Sequence, residues 1–100
     1  MAYSWTELGK KHKTGDTVWC FSAIKTLKGC HTVKPFKGVL VSSTDKTEPD
    51  SGVIYAIVPL SRSGTMMWSK VIPVYGKCFS ESCEEAERCY KMKLSKIGVL

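Results

Sequence analysis

Gly15-Asp16-Thr17-Val18-Trp19-Cys20-Phe21 is the stretch that decides the fold. A polar, lysine-rich lead-in stops at a glycine-aspartate step, which suits a turn. The chain then passes at once into β-branched and aromatic residues, which fit a pleated, half-buried surface. Over residues 17 to 24, Val18, Cys20 and Ser22 share one face and Thr17, Trp19 and Phe21 the other, the two-residue period of a strand. Both faces are partly apolar.

Upstream, Ser4-Trp5-Thr6-Glu7 matches a capping box and predicts one helical turn over residues 5 to 11, kept short by Gly9. Downstream, Lys28-Gly29 reads as a turn. Pro35 is expected to open the next strand at an edge, with Gly38 allowing a bend or bulge before the strand ends near Ser43. Residues 42 to 52 contain no large apolar side chain and read as a loop, whereas Val53 to Leu60 is continuously apolar and predicts a strand covered on both sides, by the barrel interior on one face and the terminal helix on the other. Ser61 to Gly64 turns the chain, and residues 65 to 75 supply one or two short strands interrupted at Pro73. Trp5 and Trp68 are expected to be core or lid residues.

The last element carries the strongest local signals. Ser82 with Glu85 forms a second capping box, and Glu84, Glu85 and Glu87 crowd the first turns, where negative charge complements the helix dipole. A helix from 83 to about 94 follows, with Arg88, Lys91 and Lys93 in its later part. Its packed face should carry Cys83, Ala86, Cys89, Tyr90 and Leu94. The expected fold is mainly β (α+β): one domain over residues 1–100, a small five-stranded β-barrel with a short N-terminal helical turn and a C-terminal α-helix.

A chain of 100 residues, 43% hydrophobic and 24% charged, builds one modest core and leaves little material for a deep cleft with a supporting shell. Catalytic constellations are thin. His12 lies in a lysine run and reads as a solvated surface residue, while His31 and Cys30 are sequence neighbours that point to opposite faces of a strand. Carboxylates at the helix start are accounted for by capping, and no phosphate-binding glycine loop is present. The reading is a non-enzymatic protein with no cofactor. No apolar run approaches the roughly 18 residues of a membrane span, and no signal peptide is apparent, so a cytoplasmic protein without a membrane partner is expected.

Five cysteines, at 20, 30, 78, 83 and 89, agree with a reducing compartment and free thiols. The sharper alternative is a zinc site of Cys78, Cys83 and Cys89 with Cys30 or His31. Its spacings of four and five intervening residues miss the two-residue knuckle of most structural zinc sites.

Charge is the main clue to a partner. Residues 1 to 38 hold seven lysines against Glu7 and Asp16, a net +5 of the chain's +6; residues 39 to 79 contribute +1, and residues 80 to 100 balance four against four. Such a patch attracts phosphate backbones or an acidic protein surface; the plain alternative is solubility. Aromatics interleaved with lysines suit base stacking and phosphate pairing. The candidate binding residues are Lys10, Lys11, Lys13, Trp19, Phe21, Lys25, Lys34, Phe36 and Lys37, with burial of Trp19 and Phe21 as the competing explanation.

The runs Glu7 to Trp19 and Phe36-Lys37-Gly38-Val39-Leu40-Val41, with Tyr55, Trp68 and Phe79 to Ala86, resemble small SH3-like barrel proteins encoded by bacteriophages and mobile elements. Those chains commonly share a Gly-Asp-x-Val step, a Lys-Gly-x-Ile/Val strand and a terminal Phe-x-Thr/Ser-x-Glu-Glu-Ala helix. The resemblance covers most of the chain but not residues 42 to 52 or the cysteine-rich tail. It implies an SH3-like fold and a binding module acting inside the host cell, and it names no ligand. Two function classes follow. One is binding of nucleic acid or a nucleoprotein complex. The other is capture of a protein, as by a phage accessory protein or an anti-CRISPR-like inhibitor of a host defence complex. Edge strands near Pro35 and Pro73 could also pair between copies.

Overall fold

The computed structural model describes residues 2–42 and 54–99. Its elements are β1 (Tyr3–Ser4), α1 (Trp5–Lys11), β2 (Thr17–Thr26), β3 (Gly29–Ser42), β4 (Ile54–Pro59), β5 (Ile72–Pro73), β6 (Cys78–Ser80) and α2 (Cys83–Lys96), with a 3₁₀ turn at Trp68–Lys70. The strands form one antiparallel sheet in the order β1-β6-β2-β3-β4-β5, so the fold is mainly β with two α-helices. Among the described residues the sheet ends on β1 and β5. The loop expected over 42 to 52 lies, apart from Ser42, outside the described residues.

The alternation read from β2 holds. Val18 and Cys20 face a buried cluster that includes Tyr3, Leu8, Leu40, Ile57 and Phe79. On the opposite face α2 packs chiefly against β2 and β3, not against β4 as the apolar run of residues 53–60 predicts, and Phe21, Ala23 and Ala86 are buried there. Burial on both faces accounts for the apolar content of both.

The strand β3 starts at Gly29, ahead of the expected start at Pro35. The register explains the difference. Cys20 pairs with Phe36 and Ser22 with Val33, so Lys34 and Pro35 together oppose Phe21. Pro35 therefore sits in a β-bulge, where its missing N–H removes no regular ladder bond and the strand continues through it. Gly38 lies under close approach: a Cβ there would stand 2.6 Å from Ile57 Cγ1 and 2.8 Å from the Val58 carbonyl oxygen.

The helix ends differ in how they are capped. Ser82 Oγ accepts a hydrogen bond from the Glu85 backbone N–H at 3.2 Å, as the sequence pattern requires. Ser4 makes no side-chain cap; its hydroxyl meets the Thr6 hydroxyl at 2.6 Å. Of the expectation that Trp5 and Trp68 are core or lid residues, the core placement is corrected, since they are 37% and 59% exposed. Trp5 lies against Tyr75, ring centroids 4.8 Å apart, on the surface.

Candidate nucleic-acid interface

The two long strands and the terminal helix assemble a cationic face. Residues 17 to 42 contain no aspartate or glutamate and carry Lys25, Lys28, Lys34 and Lys37, all exposed. Along α2 the acids come first, at Glu84, Glu85 and Glu87, and Arg88, Lys91, Lys93 and Lys96 follow. The direction of the helix decides where those cations go. Lys34 and Pro35 share a cleft of about 290 Å³ with Glu87, Tyr90 and Lys91. Further along, the Cys30 thiol reaches the Ile97 carbonyl at 4.0 Å. The helix thus runs beside the hairpin toward its tip; Lys91 extends the lysines of β3, whereas Lys93 and Lys96 line a cleft on the other flank of α2 with Ala2, Tyr3, Ser4 and Cys78. A segment that is neutral when summed along the chain contributes positive charge to one end of the molecule and negative charge to the other.

A larger cleft, of about 670 Å³, opens where β3 meets the turn after β4, and Trp19, Pro35, Phe36, Lys37, Leu60 and Arg62 line it. Trp19 pairs with Lys37 across the ladder, which puts both on one face of the sheet. Phe36 points the other way and packs partly against the core cluster while bordering the cleft. The Leu60 N–H donates to the Lys37 carbonyl at 2.9 Å and anchors the following turn beside β3. Within that turn the Ser61 N–H donates to the Thr65 carbonyl at 2.9 Å, and the Thr65 N–H donates to Ser61 Oγ at 3.1 Å. Gly64 takes the φ of +87° that the turn needs. Arg62 is carried at the tip of this hydrogen-bonded turn. Sequence reading recognised the turn but not Arg62 as a site residue, because its place beside Lys37 depends on the register of β3 with β4.

The structure brings Trp19, Phe36 and Lys37 to this cleft, sets Lys34 on its flank beside α2 and carries Lys25 toward the hairpin tip. It removes Phe21 from any accessible platform: its side chain is 0% exposed, on the face that α2 covers. The bulge and the helix explain this, since Phe21 lies beneath a cleft formed with Cys89, Met92 and Lys93 of α2. Lys10, Lys11 and Lys13 are exposed on and after α1, which packs against β1 and β6, away from the cleft. Lys11 Nζ stands 5.1 Å over the Tyr3 ring.

His12 is not the solvated surface residue that its lysine-rich surroundings suggest, since its side chain is only 10% exposed. The Tyr3 hydroxyl bonds to His12 Nε2, and His12 Nδ1 lies 3.3 Å from Asp16 Oδ2. The Lys13 N–H donates to the same carboxylate oxygen at 3.0 Å; this bond and then the His12 contact hold the Asp16 carboxyl below its usual range. Burial, then the charges of Glu81, Glu85 and Asp16, push the Tyr3 phenol up to about 12, so it stays protonated near neutrality. The cluster ties β1 to the junction between α1 and β2.

Burial pushes the Cys20 thiol up to about 12. Cys78, Cys83 and Cys89 are half-buried, and among the described residues no group of three His, Cys, Asp or Glu side chains is arranged to hold a metal ion. Among the described residues no helix is long and apolar enough to cross a membrane. Compared with known proteins, the chain matches no family model, no curated protein and no solved structure.

Proposed function

We propose that this protein is a non-enzymatic binding module of the small SH3-like barrel type, encoded by a phage or mobile element, that binds nucleic acid or a nucleoprotein complex. The observation that carries the reading is the carboxylate-free β2–β3 hairpin extended by Lys91 of α2, next to a cleft with an aromatic wall. Such a face attracts a polyanion over several contacts at once, and release of counterions makes the affinity steeply salt-dependent.

The test is fluorescence anisotropy with labelled single-stranded and duplex oligonucleotides at about 50 and about 200 mM salt, beside a Lys34→Glu, Lys37→Glu variant. For four phosphate contacts on a single strand the affinity should fall roughly 50-fold over that range. The variant should bind more weakly and with a shallower salt slope. Absence of binding at the lower salt would overturn the reading.

A second reading, capture of one protein partner such as a host defence complex, is favoured by a different surface. The exposed Trp5–Tyr75 pair, with Trp68 also exposed, offers aromatic anchors of the kind that dominate protein interfaces. Stoichiometric capture of a host protein that is lost on Trp5→Ala would support it.

A further inference from the structure

We infer that the cleft between β3 and the 61–65 turn receives one unpaired base, so that the ligand is single-stranded nucleic acid; the inference rests on the nucleic-acid reading above. The reason lies in the form of the cleft. A surface carrying lysines alone would take any polyanion, single or double. Here the cations Lys37 and Arg62 flank a recess whose wall is the half-buried Trp19 and whose other sides include Pro35 and Leu60. In a duplex the base faces are stacked on one another, and only edges and phosphates are presented. A recessed indole can be reached by the face of a base only when that base is unpaired and unstacked.

The parts are placed for this use. Trp19 is held between β3 and β6, opposite Lys37 on one side and Ser80 on the other. Its ring is therefore presented on the middle of the sheet and not on a free loop. Arg62 rides on a turn closed by its own hydrogen bonds, and its planar guanidinium can take a phosphate through two parallel N–H groups. Among the described residues no carboxylate lines the cleft to compete for either cation. Its volume of about 670 Å³ falls inside the range of ligand clefts, roughly 300–1,000 Å³. Toward the hairpin tip, Lys34 and Lys91 continue the positive track for the neighbouring phosphates.

The experiment uses the full chain with a short oligothymidylate carrying a single central 2-aminopurine, as a single strand and annealed to its complement. Stacking on Trp19 should quench the 2-aminopurine emission of the single strand, and the single strand should bind at least about tenfold more tightly than the duplex. Trp19→Leu should abolish the quenching and weaken single-strand binding by roughly 5- to 150-fold, the range for one lost stacking contact. Arg62 is exposed on its turn, so Arg62→Gln leaves the fold intact; it should weaken binding and lower the salt slope by about one contact. Salt-dependent binding with equal affinity for both forms, or quenching unchanged in Trp19→Leu, would overturn the single-strand inference and leave the nucleic-acid reading standing. No binding of either form at about 50 mM salt would overturn both.

Discussion

Phe21 and Trp19, two positions apart on one face of β2, have opposite surroundings because α2 covers one and leaves the other at a cleft. Phe21→Ala removes a wholly buried ring and should cost about 3–5 kcal/mol in urea unfolding, whereas Trp19→Leu should show its main effect in ligand binding. Gly38→Ala should destabilise by about 1–3 kcal/mol, because the added carbon meets the Val58 backbone carbonyl oxygen as well as the Ile57 side chain, and backbone cannot rotate aside. Tyr3 gives a test in pH. Its phenol titrates at about 12 when folded, against 10.0 in the unfolded chain, so the folded state holds the proton more tightly. The resulting stability is fully present below pH 10 and is lost as pH rises toward 12. Denaturation midpoints should fall across that window, and Tyr3→Phe should flatten the fall.

Elements were legible where their signals are local. The cap, dipole pattern and packed face of α2 lie within the helix itself, and the observed helix, Cys83–Lys96, starts at the expected residue and runs two residues beyond the expected end. The same sequence pattern at Ser4 produced the helix but not the side-chain bond. Ser82→Ala should therefore cost about 1 kcal/mol, and Ser4→Ala less, as read by thermal unfolding. The start of β3 was not legible, because whether Pro35 ends a strand or sits in a bulge depends on the register of β2 opposite it. The two-residue strands β1 and β5 are too short to carry a period and exist through their partners β6 and β4. Trp5 and Trp68 were misjudged for a related reason: ring size alone says nothing about which face of a short element meets the core.

For the whole molecule, the lysines of the first half could be read from the sequence, but the shape of the charged face could not. Summed along the chain, residues 80 to 100 are neutral; folded, α2 lies along the hairpin and its acidic and basic halves separate in space. Arg62 joins the site for the same reason, through a turn anchored on the Lys37 carbonyl. The central claim is that one continuous cationic face, built from β2, β3 and the flank of α2 that carries Lys91, holds a nucleic acid. The most direct measurement is the salt slope of oligonucleotide binding for Arg88→Gln, Lys91→Gln, compared with Lys34→Gln, Lys37→Gln and with Lys70→Gln on the 3₁₀ turn. The α2 pair and the β3 pair should each lower the slope by about two phosphate contacts, and the Lys70 change should leave it alone. An α2 pair that binds like the unaltered protein, or an equal loss from Lys70→Gln, would contradict the account.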